Sequence, residues 1–257
     1  MINTLDRSLV EKAGYENGFE NILENNDTGV RLASSRHPVI VEVTSGKSEG
    51  SWKLHFSDNL DIHELKRNLN TPLFPLDEIS PWDRQTLAVV LSRASELGIA
   101  LPDTPVKKYE DKIAAFLKDN PSERGTEREQ LVRQRVGQDL YREALMRYWK
   151  GSCAVTTIDV SEMLKASHAK PWRDCELDSD RLNVYNGFLL SANLDSLFDS
   201  GLISFTDQGD IIYSSSLSES QIFTIGLSKN SRLRWIDLRH LPYLSWHREN
   251  VFKGVLK

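Results

Sequence analysis

The strongest constraint on the fold of this chain is a break at 119–127, Asp-Asn-Pro-Ser-Glu-Arg-Gly-Thr-Glu, set between two helical patterns. Proline at 121 disfavours helical backbone at Asn120, so the pattern before it must end there. That pattern groups Tyr109, Ile113, Phe116 and Leu117 on one stripe. The pattern after it reads as one long helix from about Glu127 to Lys150, with Leu131, Val136, Leu140, Leu145 and Tyr148 in or near its apolar stripe and Gly151 at its end. Read as a linker, the break divides the 257 residues into regions 1–125 and 126–257, each large enough for a core of its own.

The first region mixes helix and strand. A helical opening is followed by Gly29–Gly46, β-branched and punctuated by Gly, Pro and Ser, and by the alternating Trp52–Asp58, which together predict a small meander. A turn-rich stretch at 70–81 precedes a helix whose stripe is Leu87, Val90, Leu91, Ala94 and Leu97, with Gly98 as its stop signal. The expected class is α+β, a small mixed α/β accessory domain followed by a second domain with different chemistry.

Charge separates the two regions as well. Residues 1–130 carry 16 basic and 22 acidic side chains, a net −6, whereas residues 131–257 carry 16 and 15, a net +1. The second region is therefore the one a polyphosphate would tolerate. No apolar run approaches the ~20 residues that cross a bilayer and the start lacks the pattern of a signal peptide, so a cytoplasmic address without membrane partners is expected. Cys153 and Cys175 are too few for a four-cysteine zinc site and are expected as reduced thiols.

Chemistry concentrates between Gly151 and Ile212. A short strand is expected around Cys153–Thr156 and a helical Ser-Glu-Met-Leu-Lys-Ala after it, then His168 before Lys170-Pro171-Trp172, Asn186-Gly187 across a polar loop, and Ser-Ala-Asn-Leu-Asp-Ser-Leu-Phe-Asp. The last segment sets Asp195 and Asp199 four apart, on one helical face, where two carboxylates share a hard cation. Gly201–Ser214 predicts two short strands around the turn Asp207–Asp210. Alone, His168 reads as a structural histidine, and its context turns the reading to catalysis. Asn186-Gly187 is also a good turn dipeptide.

In order, Arg-Val-Gly-Gln at 135–138, Cys-Ala-Val-Thr at 153–156, Ser-His-Ala-Lys-Pro-Trp at 167–172, Asn-Gly-Phe-Leu-Leu at 186–190 and Asp-Ser-Leu-Phe-Asp at 195–199 resemble the HNH endonuclease family, in its restriction and phage-defence branch. The resemblance spans about 134–206, and the closing Tyr243–Phe252 is similar to the family's tail. It implies a ββα-metal finger, with His168 as general base and Asn186 holding the loop and orienting the histidine. It also implies Asp195 and Asp199 as helix ligands of one divalent ion. Ser167 stands where many members carry a further Asp or His ligand, and the helix ligands are aspartates instead of histidines. An all-oxygen site of two carboxylates, the Ser167 hydroxyl and waters favours Mg²⁺ or Mn²⁺ over Zn²⁺.

The implied activity is hydrolysis of DNA phosphodiester bonds, with a histidine near neutral pKa to take the proton of water. The substrate partner is DNA, other defence-system proteins are candidate partners, and the chain is a monomer or a homodimer. Phosphate contacts are expected from Arg133, Arg135, Arg147 and Lys150 on the long helix, from Lys170 beside the histidine, and from Arg232 and Arg234 in the aromatic, basic tail. The rival readings are a solvated basic face, an inactive HNH scaffold that binds protein or DNA, and a modification-dependent restriction nuclease.

Overall fold

The computed structural model of the chain describes residues 1–46, 51–69, 81 and 83–254. These form two compact units, Met1–Ile99 and Ala100–Lys257. The expected mixture of helix and strand is present in both.

The first unit opens with α1 (Thr4–Glu16), whose N-cap Asn3 accepts from the amide of Asp6. Four strands follow in meander order: β1 (Asn21–Asn25), β2 (Gly29–Ala33), β3 (Val41–Ser45) and β4 (Trp52–Phe56), all antiparallel to their neighbours. Alternation sets the buried face: Val30 pairs Val43 and Leu32 pairs Val41, all fully buried, while Glu42 points outward. After α2 (Ile62–Leu69) comes α3 (Arg84–Ala100), and its whole predicted stripe is buried. The helix runs through Gly98 instead of stopping there. A Cβ at that position would lie 2.8 Å from Val39 Cγ2, so the glycine serves a close approach. The stretch 70–81 lies outside the described residues save for Pro81.

In the second unit α4 (Asp103–Asp119) packs against α5 (Glu127–Tyr148). The break at 119–127 is therefore the turn of a helical hairpin, and the compact units divide at Ile99/Ala100 instead of 125/126. Asn120 caps α4, a 3₁₀ turn spans Pro121–Glu123, and Thr126 caps α5 by accepting from the Glu129 amide at 3.2 Å. Both helix ends are satisfied, which is why so polar a segment can join two packed helices. Leu140, Leu145 and Tyr148 are buried as expected, but Leu131 is 66% exposed.

Beyond α5 two expectations need correction. Cys153–Thr156 is a turn, held by backbone bonds from Cys153 N to Ile158 O and from Ala154 N to Leu189 O. The predicted helix at 161–166 is a 3₁₀ turn, Ser161–Met163, running into β5 (Leu164–His168). Pairing with a distant strand overrides the local helix preference there. That strand is β6 (Gly187–Ser191), reached through α6 (Asp178–Arg181) and followed directly by α7 (Ala192–Asp199). β7 (Ile203–Phe205) and β8 (Ile211–Tyr213) form the expected hairpin, then α8 (Glu219–Thr224) and α9 (Leu241–Asn250) complete the unit. Among the described residues no helix is long and apolar enough to cross a membrane.

Candidate active site

The site grows from the antiparallel β5–β6 pair, in which Ser167 faces Phe188 and His168 faces Gly187. Helix α7 leaves β6 without a gap and packs back on β5, giving strand, strand and helix in one compact finger. Gly187 is fixed by close approach. A Cβ there would stand 1.9 Å from the Ser167 carbonyl oxygen and 2.3 Å from the Tyr141 hydroxyl. Asn186-Gly187 is thus the entry to a strand and not a hairpin turn.

Asn186 is fully buried and organises the 169–186 loop. Its Oδ1 accepts from the Lys170 amide at 2.8 Å, and its Nδ2 donates to the carbonyls of Lys170 at 3.1 Å and Asp180 at 3.0 Å. Its own carbonyl accepts from Ala169 N at 3.0 Å and from the Tyr141 hydroxyl at 2.9 Å. The amide side chain therefore acts on the loop backbone around His168.

His168 is held on three sides. Its Nε2 donates to the Arg181 carbonyl at 2.8 Å, its ring stacks on Tyr141 with centroids 3.8 Å apart, and Trp172 meets it edge-on at 6.1 Å. A carbonyl can only accept, so the neutral ring carries its proton on Nε2 and offers Nδ1 as the basic nitrogen. Burial pushes its pKa down to about 4, only partly opposed by the Arg181 bond, so the imidazole is neutral across the physiological range.

The carboxylates sit on the helix beside it. Ser167 Oγ donates to Asp195 Oδ1. Asp199 is raised to about 6, first by desolvation and then by the charge of Asp195, as two like charges on one helical face require. A cleft of about 340 Å³ brings together Ser167, His168, Trp172, Arg173, Asp199 and His247. Among the described residues no three His, Cys, Asp or Glu side chains gather closely enough to hold a metal. What the site offers is two mutually repelling carboxylates and a hydroxyl, oxygen donors of the kind a hard divalent cation takes.

The cations expected to bind phosphate lie elsewhere. Arg133 pairs with Glu129 at 2.7 Å and lines a second cleft of about 530 Å³ with Tyr109, Lys118, Arg124 and Asp178. Arg135 is exposed on α5, Arg147 pairs with Glu143 at 3.2 Å, and Lys150 follows the helix end with φ of 54°. Lys170 is half-buried in the loop, and Arg232 pairs with Asp210 at 3.6 Å. Arg234 donates to the carbonyls of Trp149 and Ser152 at 2.6 and 2.7 Å and lies over the Trp149 and Trp235 rings, which makes it a structural strut. None of these lines the His168 cleft.

Four residues of the site's frame take roles that the motif string does not assign. Tyr141 stacks on the histidine. Arg181 supplies the carbonyl under Nε2 while its guanidinium donates to Trp172 O at 3.1 Å, Asp178 at 2.7 Å and Cys175 O. Gly137 makes room for Trp172, because a Cβ there would stand 2.1 Å from the indole. His247 joins the site through α9, with Nε2 donating to Phe198 O at 3.1 Å and Nδ1 accepting from Ser204 Oγ at 2.9 Å. The signal for Gly137 is the Arg-x-Gly-Gln string on α5, and for Tyr141 an aromatic residue one helical turn later. Cys153 and Cys175 are buried free thiols.

Residues 153–206 match the family model described as HNH endonuclease, and the match covers β5, β6, α7 and β7. The C-terminal half thus carries an HNH domain. No curated protein matches the chain.

Proposed function

We propose that this protein is a metal-dependent HNH endonuclease that hydrolyses DNA phosphodiester bonds in phage defence or restriction. The observation that carries the reading is His168, tautomer fixed by the Arg181 carbonyl and ring fixed by Tyr141, sharing a cleft with Asp199. HNH endonucleases generally hydrolyse DNA with a divalent metal. Nδ1 of His168 takes a proton from water as its oxygen attacks phosphorus. The bond to the 3′ oxygen breaks, and protonation of that oxygen leaves a 3′-hydroxyl and a 5′-phosphate. Asp195 and Asp199, with Ser167 beside them, would hold one Mg²⁺ or Mn²⁺, which when bound supplies positive charge where the leaving oxygen becomes anionic. Asn186 and Tyr141 keep the histidine loop in register while this happens.

One such site cuts one strand, so a monomer nicks and a dimer cuts both. The defence role is supported by the order of the motifs. Residues 1–99 carry 10 basic and 15 acidic side chains, an acidity that supports a protein partner for the first unit more than direct DNA contact. The test is supercoiled plasmid with Mg²⁺ or Mn²⁺. Relaxed or linear product is expected from the wild type and none from His168→Ala, and unchanged plasmid with both metals would remove the nuclease reading in favour of a binding scaffold.

A further inference from the structure

Phosphodiester hydrolysis needs a cation on the substrate's own phosphate as well as one at the leaving oxygen, because negative charge accumulates on the non-bridging oxygens. Within the His168 cleft the ionisable side chains of the lining are His168, His247, Asp199 and Arg173, with Asp195 on the same helix as Asp199. Of the side chains lining it, Arg173 alone carries a permanent positive charge. Nearby guanidiniums are committed to the frame: Arg181 to Trp172 O, Cys175 O and Asp178, and Arg248 to Phe205 O and Asp207 at 2.8 Å each.

Arg173 differs from them in one respect that matters. Its backbone is rigid, in the 3₁₀ turn Trp172–Asp174 closed by Asp174 N to Pro171 O at 2.9 Å and pinned by Arg181 on the carbonyls on either side. Its side chain is 86% exposed and, among the described residues, meets only the neighbouring Asp174, at 3.5 Å. A fixed base with a fork-shaped donor held by one long, solvent-exposed pair is an arrangement suited to bidentate capture of a phosphate.

We propose that Arg173 grips a DNA backbone phosphate inside the catalytic cleft, pairing with the non-bridging oxygens of the bond that His168 serves. The proposal rests on the nuclease reading, and its two measurements separate the two ideas. In the first, labelled duplex DNA is titrated with the full-length His168→Ala protein in Mg²⁺ across a range of KCl concentrations. Arg173→Ala is expected to lower the slope of log affinity against log salt by about one, and Arg173→Lys, which keeps the charge, to retain it. In the second, with His168 intact, Arg173→Ala is expected to reduce kcat/KM for plasmid nicking by about 100-fold. A slope unchanged in Arg173→Ala, or lowered as far in Arg173→Lys, overturns the proposal even if the wild type cleaves. A wild type that does not cleave while the slope behaves as expected overturns the nuclease reading and leaves the phosphate grip standing.

Discussion

The Tyr141 ring lies against the His168 imidazole at 3.8 Å between centroids and 17° between planes, while its hydroxyl donates to the Asn186 carbonyl at 2.9 Å. One side chain of α5 thus fixes both the histidine ring and the residue that organises its loop. Tyr141→Phe keeps the stack and removes the bond. The Asn186 carbonyl still accepts from Ala169 N, so a loss of only about 1 kcal/mol is expected by urea unfolding, with cleavage largely retained. Tyr141→Leu removes the stack as well, and kcat is expected to fall further than KM changes.

Gly137 and Gly187 are both sites of close approach, but against different neighbours. At Gly137 the obstruction is the Trp172 indole, a side chain able to move, so Gly137→Ala is expected to cost about 1–3 kcal/mol and to lower nicking by displacing Trp172 from His168. At Gly187 the obstruction is the Ser167 backbone carbonyl, which cannot move without breaking the β5–β6 pairing. Gly187→Ala should be the more damaging of the two, measured side by side as thermal midpoints.

Stability should fall in mild acid. His247 is 1% exposed and burial draws its pKa from 6.5 down to about 4. A base with a depressed folded-state pKa favours the native state above its unfolded pKa, and that contribution is lost as pH falls from about 6.5 towards 4. Between pH 7 and 5 this single histidine accounts for about 2 kcal/mol. Denaturant midpoints at the two pH values should converge in His247→Gln relative to the wild type, and an equal pH dependence in both would remove the histidine as its source.

Cation binding is expected to need both helix carboxylates. Calorimetric titration of Mn²⁺ into the wild type should give a one-site isotherm, weakened at least tenfold in Asp199→Asn and in Asp195→Asn. Ser167→Ala should have a smaller effect, since it frees Asp195 from its hydrogen bond without removing a charge. Identical isotherms for all four proteins would place the cation elsewhere or nowhere.

Local pattern carried much of this architecture. The α3 stripe, the meander, the β7–β8 hairpin and the α4 end at Asn120 follow from periodicity and turn chemistry, and the structure has each of them. Non-local pairing is what pattern misses. Residues 161–166 read as helix until β6 arrives across the loop to pair with Leu164–His168, and the break at 119–127 reads as a linker until α4 is seen against α5. The motif string names Ser167, His168 and Asp199, and the structure lines one cleft with them, whereas a single exposed arginine such as Arg173 has no pattern. Arg234 reads as a nucleic-acid contact for the complementary reason, since its carbonyl partners are 82 and 85 residues away.

Helix α9 reaches both sides of the cleft. Tyr243 donates to Asp180 at 2.8 Å on the histidine loop, while His247 and Arg248 hold the end of α7 and β7. The residues that match the HNH model end at 206, yet the segment that latches their two halves together emerges from the ribosome some forty residues later. A chain that stops after residue 206 therefore lacks both the latch and His247, so the cleft assembles only after α9 has been made.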